Sequence, residues 1–200
     1  YISRDHGLRR RLSAAVAGKG TGVRGCELGC GCALAGLTAF VLGCEMVLTD
    51  MLPVLPVVEL NIEKNKRAVR TALALAMCNS DFGGNDYERL KSSPPRAAVL
   101  DWTDEAGANA LLCDAGKDEN EKVPFELILG ADLMYEKRLA VPLANTIARL
   151  SSPSSLILIA HEFRKQAVDD AFFLAFREVG LSVHKVKSEE DIALYELKLL

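Results

Sequence analysis

A glycine-rich turn near the start of the chain constrains the fold more than any other stretch. Residues 23–28 form a short apolar run, and residues 27–37 read ELGCGCALAGL and lead into an amphipathic run. This order predicts a strand, a tight turn and a helix. Gly29 and Gly31 permit positive φ and expose bare backbone to a ligand, while Gly36 permits close packing of the helix on the strand. The stretch therefore predicts the opening unit of a doubly wound α/β sheet.

The spacing of the glycines separates two classes of cofactor. A dinucleotide needs G-x-G-x-x-G, with its pyrophosphate over the helix N-terminus, and here Gly36 falls two residues late. Glu27 ends the strand, where it would repel a diphosphate but would suit the cationic amino group of a methionine moiety. We therefore interpret the stretch as an S-adenosylmethionine turn. A tight turn that binds nothing remains the alternative, because a glycine pattern by itself is weak evidence.

Acidic residues close two further predicted strands. Residues 46–49 predict a strand ending at Asp50, which follows Glu27 by 23 residues, near the ~20-residue offset of a ribose-binding acid. A third apolar run is followed by Asp101 and Trp102, where an adenine would pack on the indole and its amino group would meet the carboxylate. The alternatives are a helix N-cap for Asp50 and a core tryptophan for Trp102.

Strands and helices alternate along the rest of the chain, which closes with two alternating runs. The predicted elements are strands at 125–129 and 155–160, helices at 53–66, 136–150 and 166–179, and an antiparallel hairpin of 181–186 with 192–199. This pattern predicts one α/β domain over residues 1–200 with a seven-stranded Rossmann-like sheet. Because the chain begins at Tyr1 rather than Met, residues 1–22 are expected to be a truncated lead-in.

Composition also limits the partners, the metals and the cellular compartments that are expected for this protein. No run approaches the ~20 apolar residues of a membrane span, and no basic block points to nucleic acid, so neither partner is expected. The six cysteines include no Cys-x-x-Cys pair, so we expect no metal and interpret them as small buried thiols of a reducing compartment. A monomer in the cytoplasm or the nucleus is therefore expected.

Four stretches resemble the seven-strand methyltransferases of the methyltransferase-like 21 group, also called family 16. They are residues 27–31, Thr49-Asp50, residues 100–102 and, above all, residues 125–135, which read FELILGADLMY and contain an Asp-x-x-Tyr motif at Asp132 and Tyr135. Members of this group are largely protein-lysine N-methyltransferases of the eukaryotic cytosol and nucleus. The resemblance implies a class I methyltransferase sheet, S-adenosyl-L-methionine as cofactor and a protein substrate with a target lysine.

The resemblance also implies a role for each matching position. The residues that would contact the cofactor are Gly29, Cys30 and Gly31 at its methionine end, Asp50 at the ribose, Asp101 and Trp102 at the adenine, and Ala131 beside the sulfonium. Asp132 and Tyr135 would border the lysine channel and orient the amine. The family has a tryptophan-containing segment about 25 residues before the turn, whereas residues 9–17 hold no aromatic residue. Either the fragment is incomplete or its cofactor affinity is reduced.

Three alternatives stay open from the residues alone. A small-molecule methyltransferase would have the same cofactor half, and a non-catalytic module could keep the fold without turnover; a nicotinamide dehydrogenase is opposed by the late third glycine. His161 and Arg164 follow the predicted fifth strand, where they would either touch a substrate or belong to a solvated loop.

Overall fold

A mixed sheet with helices on both faces organises the chain, as seen in a computed structural model that describes residues 23–78, 93–113 and 121–200. Within these residues the sheet has seven strands in the order β3-β2-β1-β4-β5-β7-β6. The strands are β1 Arg24–Leu28, β2 Glu45–Asp50, β3 Arg96–Val99, β4 Leu127–Ala131, β5 Leu156–Glu162, β6 Leu181–Glu189 and β7 Ile192–Leu199. The first five are parallel, and β7 pairs antiparallel with both β5 and β6.

The helices of the described residues connect the parallel strands. They are α1 Leu34–Val41, α2 Leu55–Cys78, α3 Glu105–Leu112, α4 Ala140–Leu150 and α5 Gln166–Glu178, with a 3₁₀ turn at Lys137–Leu139 before α4. Asp104 caps α3, because its side chain accepts the N–H of Ala106 at 3.0 Å. After α5, Gly180 takes a φ of +82°, a conformation that glycine adopts without steric cost.

Alternation along the strands divides the apolar residues between two cores. In β4, Ile128 faces the larger core, where α3, α4 and α5 pack with Phe125 and Phe172. Leu127 and Leu129 face the smaller core with α1 and the start of α2. Both faces of the central strands are therefore covered, as expected for a parallel sheet. No helix among the described residues has the length and apolarity needed to cross a membrane.

The predicted sheet and hairpin are confirmed, while several boundaries were wrong. β4 begins at Leu127 rather than at residue 125, because the N–H of Phe125 bonds to Leu150 outside the ladder. Residues 136–139 precede α4 instead of forming its first turn. Residues 187–189 belong to β6, although they were predicted to connect the hairpin. In each case the hydrogen bonds of a neighbouring element set the boundary, and apolar periodicity does not report them.

Candidate cofactor and substrate site

The glycine turn lies at the carboxyl end of β1, at the centre of the sheet. Gly29 and Gly31 have φ values of +54° and +49°, as predicted. A Cβ on Gly29 would lie 2.8 Å from Leu133 Cδ2 and 3.3 Å from Trp102 Cζ2, so a larger residue would force these side chains to shift as well. At Gly31 a Cβ would meet no atom of the described chain within 4 Å. The backbone of Gly31 therefore faces open space in which a ligand can lie.

Glu27 lies beneath this turn with only 3% of its surface exposed. Its Oε2 accepts the N–H of Gly36 at 2.8 Å. A Cβ on Gly36 would lie 2.5 Å from that oxygen and 2.2 Å from Leu48 Cδ2, which confirms the predicted close packing of α1. Burial raises the pKa of Glu27 to about 7, although the N–H groups of Gly36 and Ala35 oppose the shift. A ligand cation at this carboxylate would favour its ionised form.

Asp50 joins the end of β2 to the glycine turn. Its Oδ2 accepts the N–H of Gly31 and its Oδ1 accepts the N–H of Met51, both at 2.8 Å. It does not cap a helix, because α2 begins only at Leu55. Each carboxylate oxygen has a second lone pair, so the carboxylate can also accept two hydroxyl groups from a ribose.

Asp101 and Trp102 lie just beyond β3, at the same edge of the sheet. The backbone N–H and the hydroxyl of Thr103 both donate to Asp101 Oδ1, at 2.9 and 2.7 Å, and these bonds lower the pKa of Asp101. Trp102 is half-buried and packs against the larger core, and a Cβ added at Gly29 would lie 3.3 Å from its Cζ2. The indole therefore lies beside the glycine turn.

The end of β4 brings the predicted motif to this edge. Asp132 adopts a φ of +57°, and its N–H donates to Ala160 O of β5 at 2.8 Å. Leu133 and Met134 then turn into the core, each with 2% of its surface exposed, so that Asp132 and Tyr135 remain outside. Tyr135 is 53% exposed. Its pKa is raised by partial burial and by the charge of Asp50.

Two residues of β5 and its exit differ from expectation. His161 is not a solvated loop residue: it lies in β5 with 2% exposure, and its Nε2 is 2.8 Å from Oδ1 of the buried Asp169. Arg164 does contact the site, since its Nη2 donates to Asp132 Oδ2 at 2.8 Å and to Glu162 Oε2 at 2.7 Å. Parallel β4 and β5 end side by side, and this neighbourhood of the two strand ends could have predicted the contact between Arg164 and Asp132.

One cavity of about 430 Å³ joins the glycine turn to the end of β4. Glu27 and Cys30 line one wall, and Gly130 and Ala131 line another. The remaining walls come from the first turns of α1, from β5 and from the tip of the β6–β7 hairpin, and they are mostly apolar. The cavity therefore connects the ends of β1 and β4, whereas Asp50, Asp101, Trp102, Asp132 and Tyr135 do not line it.

The cysteines of the described chain behave partly as expected. Cys26, Cys30 and Cys44 are buried, Cys113 is half-buried, and Cys32 is exposed, contrary to the prediction of burial; the side chain of Cys78 lies outside the description. Burial raises the pKa of the Cys30 thiol, so this residue is not a thiolate nucleophile. No cluster of three or more potential metal ligands occurs among the described residues.

The strand order, the glycine turn and the motif at the end of β4 define a Rossmann-like methyltransferase fold. The chain belongs to the lysine methyltransferase family, whose sequence profile matches residues 8–79 and 90–179.

Two curated relatives are similar over most of the chain. Protein N-lysine methyltransferase METTL21A of Mus musculus is 29% identical over 179 residues, which cover 87% of this chain and 66% of the mouse protein. The Danio rerio protein of the same name is 27% identical over 176 residues, covering 87% of this chain and 65% of its own length. The chain thus spans slightly less than two thirds of these relatives.

A solved structure supports the fold. The glycopeptide N-methyltransferase MtfA, in complex with S-adenosyl-L-methionine, superimposes with a TM-score of 0.57 over 94% of each chain at 10% identity. At this identity the likeness concerns the arrangement of strands and helices.

Proposed function

We propose that this chain is an S-adenosylmethionine-dependent protein-lysine N-methyltransferase. The observation that carries the proposal is a cavity that is lined by Cys30 of the glycine turn and by Gly130 and Ala131 at the end of β4. Membership of the lysine methyltransferase family and the names of the two relatives support the choice of lysine as acceptor. They also favour a protein substrate over a small-molecule acceptor.

The residues at the ends of β1, β2 and β3 fit the cofactor. Glu27 would bind the amino group of the methionine moiety, Gly29, Cys30 and Gly31 would present backbone to it, and Asp50 would accept the ribose hydroxyls. Asp101 and Trp102 would frame the adenine, and Ala131 would lie beside the sulfonium. When bound, S-adenosylmethionine supplies an electrophilic methyl group. The protein therefore contributes mainly alignment and exclusion of water.

Asp132 and Tyr135 are assigned to the acceptor amine. A lysine amine has a reference pKa of ~10.4 and must lose a proton before it can attack. The half-exposed carboxylate of Asp132 would orient the amine, while the hydroxyl or ring face of Tyr135 would direct its lone pair toward the methyl group. Both residues follow the end of β4, where an acceptor would enter.

The redox state of the described cysteines indicates the cellular compartment. Cys26, Cys30, Cys32, Cys44 and Cys113 are all free thiols. Free thiols are typical of reducing compartments. We therefore propose that the protein acts in the cytoplasm or the nucleus.

Titration of the purified chain with S-adenosylhomocysteine by calorimetry tests the cofactor assignment. Binding in the micromolar range is the expected result, and no binding at a hundredfold higher concentration would refute it. Incubation of the same protein with radiolabelled cofactor and a cytosolic extract then tests the acceptor. Label in acid-hydrolysed protein as methyl-lysine supports the proposal, whereas label confined to metabolites supports a small-molecule methyltransferase. Binding without any transfer would instead identify a non-catalytic module.

A further inference from the structure

Arg164 lies between two carboxylates beside the proposed acceptor site. Both of its contacts use the same nitrogen, Nη2, so the carboxylates of Asp132 and Glu162 face each other across one cation. The hairpin holds the backbone just before Arg164, because the N–H of Phe163 donates to Asp191 O at 2.7 Å and Glu162 pairs with Ile192 in the ladder. The guanidinium is thus directed to Asp132 by the end of β5.

Stability does not account for this arrangement. The side chains of Arg164, Asp132 and Glu162 are 49%, 46% and 49% exposed. Ion pairs with such exposure contribute little to folding, because solvent screens them and ordering long side chains costs entropy. The main physical effect of the cluster is therefore on the local electric field at Asp132.

A carboxylate beside the acceptor poses a chemical problem. By itself it stabilises an ammonium ion, which has no lone pair, whereas a neighbouring cation stabilises the neutral amine. Arg164 supplies a cation that stays charged at all working pH values. Its presence leaves one net negative charge on the three groups, and its removal would leave two.

We propose that Arg164 is a positioning residue that compensates part of the charge of Asp132 and Glu162 and so shifts the preference of the site from the ammonium ion toward the neutral amine. This inference rests on the proposed function, because it concerns the same acceptor. It assigns to Asp132 the orientation of the amine and to Arg164 the selection of its protonation state.

The other titratable groups near Arg164 lie on the β4 side and on the hairpin side. Tyr135 follows on the β4 side, and partial burial raises the pKa of its phenol. On the hairpin side, Lys187 and Glu189 pair with each other at 2.7 Å. A variant that lacks only the charge of Arg164 shares these groups with the wild type, so a difference between the two proteins in the pH dependence of amine binding reports the charge of Arg164.

The test uses n-butylamine as a probe for the lysine side chain, followed by NMR at the backbone amide of Asp132, with and without saturating S-adenosylhomocysteine. The neutral fraction of such an amine rises about thirtyfold between pH 8 and pH 9.5, while the cationic fraction barely changes. In the wild type we expect an apparent affinity that rises about fivefold or more over this interval, toward the limit of about thirtyfold for a site that binds only the neutral amine. In Arg164→Gln we expect tighter binding at pH 8 and less than a threefold change with pH.

Two variants distinguish charge compensation from mere structure. Arg164→Lys retains a cation and should restore the steep pH dependence. Arg138→Gln is the matched control, because Arg138 is exposed and pairs at 2.6 Å with Glu136 rather than with Asp132; it should behave as the wild type. Thermal unfolding of each variant verifies that the fold is intact.

A steep pH dependence retained in Arg164→Gln would overturn the inference, as would wild-type binding that does not change with pH or is not detected at pH 9.5. Failure of the proposed function would be seen separately. It would be seen as absent S-adenosylhomocysteine binding, while the butylamine titration of the free protein would still report on Arg164.

Discussion

The two halves of the candidate site are held together by different interactions. The glycine-turn half, comprising Glu27, Gly31 and Asp50, depends on backbone hydrogen bonds and on a buried carboxylate. The β4–β5 half, comprising Asp132, Tyr135 and Arg164, consists of side chains that are about half exposed and joined by an ion pair. Changes in the first half should therefore affect folding and cofactor binding, while changes in the second should affect acceptor binding and turnover.

The largest effect is expected at Asp132. Asn is the appropriate replacement, because it tolerates the φ of +57° that Ala would adopt only with strain. Asp132→Asn should reduce methyl transfer at least a hundredfold, equivalent to about 2.7 kcal/mol of transition-state stabilisation. Affinity for S-adenosylhomocysteine should stay within twofold of the wild type. Turnover is measured with labelled cofactor and affinity by calorimetry, and normal turnover in Asp132→Asn would remove Asp132 from the acceptor site.

The second effect is the pH dependence that Glu27 imparts to stability. Its pKa is raised from 4.5 in the unfolded chain to about 7 in the fold, so the folded state binds the proton more tightly. The stability contribution is full below pH 4.5 and is lost as the pH rises through 7. The loss should be on the order of 2–3 kcal/mol, measured by urea unfolding between pH 4.5 and pH 8.

Glu27→Gln provides the comparison for this pH effect, because its amide oxygen can still accept the N–H of Gly36. The variant should lack that part of the pH dependence. An identical slope in both proteins would show that another group is responsible. Cofactor binding offers a second check, since a ligand cation at Glu27 should release a proton from the wild type near pH 6.5 and none from the variant.

Gly36 tests how tightly the glycine-turn half is packed. Gly36→Ala places a methyl group 2.2 Å from Leu48 Cδ2, so either Leu48 or α1 must move. We expect a loss of about 2 kcal/mol in unfolding free energy, because the strain of overpacking exceeds the gain in helix propensity. Denaturant unfolding measures it, with Thr38→Ala on the same helix as control. Unchanged or higher stability in Gly36→Ala would mean that α1 can shift without cost.

The smallest effect is expected at Asp50. Asp50→Asn retains the size of the side chain but loses the charge that receives the ribose hydroxyls and the N–H of Gly31. Affinity for S-adenosylhomocysteine should fall about tenfold, which corresponds to about 1.4 kcal/mol. Calorimetry measures it, with Asp104→Asn on α3 as an exposed control. A variant that binds as tightly as the wild type would exclude Asp50 from the ribose site.

The two halves of the site also differ in how much of each could be predicted from the sequence. Local chemistry suffices for the glycine turn, because positive φ at Gly29 and Gly31 and close packing at Gly36 follow from the absence of side chains over a few residues. Arg164 lies 32 residues from Asp132 in the chain, and its contact depends on the pairing of β4 with β5. His161 was misjudged for a related reason, since β5 extends to Glu162 only through its pairing with β7.

The sequence by itself determined the order of strands and helices, the glycine turn, the acids that end β1 and β2, and the motif at Asp132 and Tyr135, because each is encoded by neighbouring residues. Only the tertiary structure decided where each strand ends, how deeply Glu27 is buried and which cation faces Asp132. These properties depend on hydrogen bonds and solvent exclusion between segments that are distant in the chain. The sequence specifies that a side chain carries a carboxyl group, but the charge state of that group depends on what the fold places around it.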